Sequence, residues 1–287
     1  MSENKIKKSS MAKRSLKKFT ANKLAMFGLI VVVIYIFLSI FAPFITSYDP
    51  NLTDLSSMNK LPGGEHILGT DSLGRDLFTR LVYGGRISIM IGIFSAILTS
   101  VIGTCLGLIA GYFGGKIDSL LVRISEILMA FPMTILVMLL ATIVGAGVKN
   151  LILIFCFVGW MTVFRIVRNE VMRIREETYV DVSKAFGAPS ASIMFKDILP
   201  NTLSPIIVAT TINVAFFILQ ETVLSFLGLG VPTNVATWGT IINAAKSITV
   251  IQNQWWLWVI PGACISIFVM SINFLGDGLR DVLDPRV

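Results

Sequence analysis

The stretch Tyr179-Val-Asp-Val-Ser-Lys-Ala-Phe-Gly-Ala-Pro189, closed further on by Asp197-Ile-Leu-Pro-Asn201, is a polar interval between two apolar runs. Tyr179, Val182 and Phe186 recur at helical spacing, which predicts one short helix over 176–186 with a single apolar edge. Glu177, Asp181 and Lys184 fall elsewhere on its surface. Glu176 and Glu177 suit its first turn, where unpaired N–H groups favour negative charge. Gly187 is able to adopt the left-handed conformation that closes a helix, and Pro189 bars continuation. A second helix then restarts near Ser190 and runs toward the next apolar run. Charged connectors are usually just solvated, but an apolar edge on so polar a segment calls for a partner.

Composition sets the class around this interval. A mean hydropathy of +0.79, with 54% apolar and only 14% charged residues, exceeds what a soluble domain of 287 residues carries. The chain reads as an all-α membrane protein. A bilayer core takes about 20 helical residues, and the apolar runs 24–45, 87–110, 127–144, 198–220 and 255–275 meet that length. The run 151–164 is shorter, and counts as a sixth span because Arg165 and Arg168 can snorkel to the interface. The first run is too long for a signal-peptide core and lacks a small-x-small cleavage site, so it reads as a retained anchor.

These spans divide the chain into a basic tail (1–23), the first span (24–45), an external segment (46–86), a core (87–276) and a C-terminal piece (277–287). Within the core lies the loop 165–201. With six spans both termini share a side, and Lys and Arg collect on the cytoplasmic one. Placing the termini inside puts 18 of 24 basic residues in the cytoplasm, leaving Lys60, Arg75, Arg80, Arg86, Lys149 and Lys246 outside. The loop 165–201 then faces the cytoplasm. The net charge of +7 is thereby a topology signal, not a nucleic-acid surface. The chain is read as a multi-pass cell-membrane protein, with the bilayer as its first partner.

Catalytic chemistry is poorly provided for. Cys105, Cys156 and Cys264 fall inside spans without C-x-x-C spacing, and His66 is the single histidine. No metal cluster and no histidine-dependent nucleophile can be built from one such residue. The nearest approach to a nucleotide loop, Ala110-Gly-Tyr-Phe-Gly-Gly-Lys-Ile117, lacks the first glycine and the terminal Ser/Thr. No catalytic or metal-binding residue is assigned.

Polar groups at membrane depth are few. Glu126 most simply pairs with Arg123 one turn away. Asn213, Gln220 and Glu221 are candidates for a translocation path; for Glu221, pathway lining and interhelical bonding are equally open. Ser95, Thr99, Gly103, Gly107 and Gly111 form a stripe of small residues, suited to close packing within the bundle or against a second subunit. Trp255, Trp256 and Trp258 read as interfacial anchors. In the external segment, Arg75 and Asp76 read as a local ion pair.

Four stretches carry a resemblance. Asp181, Lys184, Gly187, Ile198, Leu199, Pro200 and Asn201 follow the cytoplasmic loop of ABC importer permeases, written E-A-A, three residues, G, about nine residues, I-x-L-P. His66 to Asp76 resemble the region after the first span in the dipeptide, oligopeptide and nickel branch, Glu221 to Gly230 resemble a run of the same family, and Gly276 to Arg286 resemble the close of the dipeptide and oligopeptide permeases. The departures are Asp181-Val182-Ser183 for E-A-A, and Asp197 where the family often has His. The chain thus resembles the C-type permease subunit of peptide importers. That resemblance implies a type I importer permease fold, a homologous second permease, two ATP-binding cassette subunits holding ATP and magnesium, and an external binding protein. It marks Glu177, Tyr179, Asp181, Val182, Ser183, Lys184, Ala185, Phe186, Gly187, Ile198, Leu199 and Pro200 as the surface through which the ATPases act. Peptide import is its first reading and nickel or metal-chelate import its second. A secondary transporter would need midplane carboxylates and an inverted repeat, and neither is visible. A membrane-embedded enzyme lacks its reactive groups.

Overall fold

Hydrophobic length dominates the architecture of residues 17–283, the part of the chain that a computed structural model describes. The basic residues from Lys5 to Arg14, and the final four residues with Arg286, lie outside it. Among the described residues there is no strand. The helices are α1 (Lys23–Ile40), α2 (Leu77–Phe113), α3 (Gly115–Met129), α4 (Met133–Val144), α5 (Val148–Ile174), α6 (Thr178–Ala185), α7 (Ser190–Leu227), α8 (Trp238–Ile242), α9 (Ile248–Asn253) and α10 (Trp256–Leu283). Five are long and apolar enough to cross a bilayer, or six if the bent α3–α4 pair is one span.

Several boundaries differ from the sequence reading, each for a local reason. The run 127–144 is not one helix: α3 stops at Met129, Pro132 heads α4, and the two axes meet at 86°. Proline has no N–H to give the preceding turn and restricts the residue before it. The segment after α1 ends at residue 76 instead of 86, because Asp76 caps α2 through a 2.8 Å bond from Thr79 N to its Oδ1. At 37 residues α2 is about 55 Å long. The short run 151–164 belongs to a 27-residue helix, α5.

The stripe of small residues on α2 packs against α5. A Cβ added at Gly103 would stand 2.7 Å from the Trp160 carbonyl oxygen, and one at Gly107 or Gly111 2.8 Å from Val167 or Val171 Cβ. Only glycine lets the two backbones approach so closely. Around this seam Phe155, Phe164 and Phe217 are fully buried, with the Phe155 and Phe217 rings stacked at 5.0 Å. The second arm pairs α1 with α10, and α7 runs between the two.

At the end of the bundle where α2 begins, residues 46–76 form a cap. Its ion pairs are not those of the sequence reading. Arg75 Nε donates to Asp71 Oδ2 at 2.7 Å, whereas Asp76 faces His66 Nδ1 at 3.0 Å. Asp76 is committed to the α2 cap, which turns it away from its neighbour. Trp256 is also reassigned: it is 2% exposed and its indole donates to the Thr70 carbonyl at 3.1 Å, tying α10 to the cap. Trp255 and Trp258 remain at the surface.

Candidate functional site

The interval 175–189 sits at the opposite end of the bundle from the cap. Its helix forms as the spacing predicts: Glu177 is the N-cap of α6, Phe186 its C-cap and Gly187 has φ +75°. Gly187 N donates to the Lys184 carbonyl at 2.9 Å and Ala188 N to the Ser183 carbonyl at 3.1 Å. Those two bonds are the Schellman closure, which leaves the last carbonyls of α6 satisfied and turns the chain sharply. Pro189 then heads α7.

What holds α6 in place was not on the apolar edge read from the sequence. Val180, on another face, is fully buried with Ile174, Ile193 and Ile198 and with Val167 and Val171 of α5. Complete burial of such a side chain contributes about 1.5–3 kcal/mol. Tyr179, Val182 and Phe186 stay 44%, 48% and 87% exposed, an apolar edge left open at the surface. Phe195, at the start of α7, adds a further exposed ring.

Polar contacts stiffen the same unit. Asn201 Nδ2 donates to the Tyr179 hydroxyl at 3.1 Å and to the Asp197 carbonyl at 2.7 Å, joining α6 to α7. Partial burial, and next the Glu177 carboxylate, push the Tyr179 phenol above its ordinary pKa, so it remains a neutral hydroxyl. Lys184 Nζ donates to Asp181 Oδ1 at 3.0 Å and to the Arg175 carbonyl at 3.3 Å. The Arg175 guanidinium in turn donates to the Gly111 and Tyr112 carbonyls at the end of α2. Glu177 meets Arg173 at 3.5 Å.

The Ile198-Leu199-Pro200 motif has a backbone consequence. Pro200 has no N–H to offer the preceding turn, and over Ile193–Ile198 the helix widens so that Leu199 N reaches Met194 O. Such π turns are rare overall and frequent at functional positions. Ile198 is fully buried, Leu199 partly so, and Pro200 faces outward. Ser183 is half-buried and Ala185 exposed. The arrangement is a small rigid foot: its anchor is in the bundle, its apolar edge is outside, and α2, α5 and α7 all brace it.

The candidate path residues do not form one cluster. Asn213 carries a buried side-chain nitrogen without a hydrogen-bond partner among the described residues. Gln220 exchanges long contacts with Thr134 of α4, at 3.3–3.4 Å. Glu221 is fully buried and accepts hydrogen bonds from Ser88, Ser225 and Thr237, which gives it interhelical bonding. Glu126 meets Arg123 at 3.4 Å on an exposed face, as its spacing suggests.

Comparison with known proteins follows the same lines. Residues 103–287 match the family described as binding-protein-dependent transport system inner membrane component, and residues 10–62 match the N-terminal TM domain of oligopeptide transport permease C. The chain is 40% identical to the oligopeptide transport system permease protein OppC of Bacillus subtilis, covering 99% of this chain and 93% of that protein. It is 41% identical to the dipeptide transport system permease protein DppC of the same organism, over 96% of this chain and 84% of that one. The DppC of Alkalihalophilus pseudofirmus is 40% identical, over 96% of this chain and 90% of its own length. With the fold, the exposed loop edge and these matches together, the chain belongs to the inner membrane components of binding-protein-dependent transport systems, as a multi-pass permease subunit.

Proposed function

We propose that this chain carries peptides across the cell membrane as one of two homologous permeases, driven by two ATP-binding cassette subunits that hold ATP and magnesium and supplied by an external binding protein. The observation that carries this reading is the foot at 175–189. Its Tyr179, Val182 and Phe186 edge is exposed although Val180, one residue away, is fully buried. A fold that can bury Val180 so completely leaves the edge exposed for another protein. Both termini and the foot then face the cytoplasm, where an ATPase is available. Closure of the ATPases displaces the foot, and the bracing through Arg175, Asn201 and the Val180 cluster passes that displacement to α2, α5 and α7. A rocking bundle needs two packings of similar energy.

Peptide is preferred over nickel or a metal chelate because the relatives are named for oligopeptide and dipeptide transport. Asn213 and Gln220 are assigned to the passage, whose sparse polar lining suits weak, permissive contact with cargo chosen by the binding protein. The test is uptake of a labelled tripeptide into vesicles containing this chain with its co-purifying subunits. The reading requires that uptake need ATP, magnesium and the binding protein together. Uptake driven by an ion gradient without ATP would overturn it.

A further inference from the structure

Glu221 makes three hydrogen bonds, and each continues into the backbone of one segment. Ser88 Oγ donates to its Oε2 at 2.9 Å, while Ser225 Oγ and Thr237 Oγ1 donate to its Oε1 at 2.8 Å each. Every one of these hydroxyls has its lone pairs left to accept a main-chain N–H. Trp238 N donates to Ser88 Oγ at 3.1 Å, Val231 N to Ser225 Oγ at 3.2 Å, and Thr240 N to Thr237 Oγ1 at 3.0 Å. All three amides belong to residues 228–242, the connector after α7 together with α8. Ser88 is on α2, Ser225 on α7 and Thr237 at the head of α8, so one carboxylate orients hydroxyls from three elements.

Shape agrees with this wiring. A Cβ at Gly239 would stand 3.0 Å from Glu221 Oε1 and 2.9 Å from Thr222 Cα, so α8 lies directly on α7. On its other side the Trp238 indole donates to the Leu81 carbonyl of α2 at 3.0 Å. A fully buried carboxylate is costly unless its lone pairs are satisfied, and among the described residues no cation pairs with it; its three donors are hydroxyls that in turn accept amides of the segment. Moving the segment away from α2 and α7 would take Thr237 from the carboxylate and strand the amides of Val231 and Trp238 together.

We infer that Glu221 is a positioning residue for transport: through its three hydroxyl relays it locks residues 228–242 onto α2 and α7, making them one rigid external gate element. This rests on the transport reading above for the word external and for the role of the gate; the lock itself rests on geometry alone. A glutamine retains one oxygen for Ser225 and Thr237, but its amide nitrogen makes Ser88 accept instead of donate, which leaves the Ser88 proton without its acceptor and weakens that one relay.

The experiment is hydrogen–deuterium exchange together with uptake, on the complete vesicle-reconstituted assembly. For Glu221→Ala, peptides covering 229–242 are expected to exchange about tenfold or more faster. Exchange in α2 and α7 is expected to stay as in the wild type, and the peptide imported per ATP hydrolysed to fall about tenfold. Glu221→Gln lies between. If Glu221→Ala does not assemble, Ser88→Ala and Thr237→Val each remove one relay and show smaller changes in the same segment. Wild-type exchange in every variant would overturn the lock. Faster exchange spread equally over α2, α7 and 229–242 would make Glu221 a general stabiliser and overturn the positioning role, as would faster local exchange with an unchanged ratio of peptide to ATP. A wild-type assembly that imports nothing with ATP would sink the transport reading instead, and the exchange data would still decide the lock.

Discussion

Arg168 on α5 holds both carboxylate oxygens of Asp118, in the first turn of α3. The two side chains are 22% and 15% exposed, so solvent screens them only in part. The pair fastens α3 to the helix that ends in the foot. Because the acid sits where the N-terminal N–H groups of α3 point, the helix adds to its stabilisation.

Asp118→Asn is expected to cost about 1–2 kcal/mol, since a bidentate charge-assisted pair is stronger than a neutral one and removal leaves a half-buried guanidinium behind. Thermal inactivation of the solubilised assembly reads this directly. The exchanged pair, Asp118→Arg with Arg168→Asp, should recover part of the loss; an exchange as damaging as the sum of the single variants would show that the pair is not coupled.

The stripe on α2 yields a second prediction. Gly107→Val would drive side-chain atoms into Val167 and the Phe164 carbonyl, 2.8 and 3.0 Å from the new Cβ alone. Overpacking of this kind costs about 1–3 kcal/mol. Gly115→Ala, by contrast, meets no neighbour within 4 Å, so any loss there comes from its positive φ alone. Comparing detergent-resistant assembly of the two variants separates packing from backbone strain: Gly107→Val should be the more damaging.

How much of this was legible depended on whether a residue's partners were close in sequence. Tyr179, Val182, Phe186 and Gly187 were readable because helical period and glycine closure are local signals. Val180 was not, because its burial is made by Val167, Val171, Ile193 and Ile198, which only the tertiary fold brings together. Pro132 is a local break signal that the continuous apolar length of 127–144 masks. Arg80, Gly84, Gly85 and Arg86 looked like loop, and instead form the first turns of α2; a Cβ at Gly84 would crowd Thr237 at the head of α8, and one at Gly85 would crowd Ser39 of α1 and then Trp238 of α8, so these glycines are notches for the neighbouring helices. Ser88 and Thr237 were invisible as partners of Glu221 for the same reason as Val180, being 133 and 16 residues away, whereas Ser225 stands one helical turn on at i+4.

Orientation is tested by surface labelling. With Cys105, Cys156 and Cys264 replaced, a cysteine at exposed Thr53 should react with an impermeant maleimide in intact cells, and one at exposed Ser190 only after lysis. The cytoplasmic placement of the foot does not survive the reverse pattern.

The cap supplies a pH dependence. Hydrogen bonds from Ser56 and Ser57 hold the Asp54 carboxyl down at about 2, below its ordinary 3.8. A depressed carboxylate contributes fully above its unfolded pKa and loses that contribution as pH falls through the folded one. The Asp54 contribution to the cap is therefore expected to be complete above its ordinary pKa and to be lost between about pH 4 and 2. Trp256, bonded to Thr70 of the cap, reports this by fluorescence, and Asp54→Asn should flatten that part of the acid transition.

The central claim is that the exposed edge of α6 receives the ATPase, and it is tested most directly by co-purification of the ATPases with Phe186→Asp and Gly187→Val variants. Phe186 is 87% exposed, so an aspartate there leaves the isolated chain intact and penalises only a docked, desolvated edge, by several kcal/mol. Valine at the φ of +75° strains the closure that sets the angle of that edge, by about 1–2 kcal/mol. The account predicts normal membrane levels of both variants, with ATPase recovery lost for Phe186→Asp and reduced for Gly187→Val. Full recovery of the ATPases with Phe186→Asp, together with wild-type uptake, would contradict it.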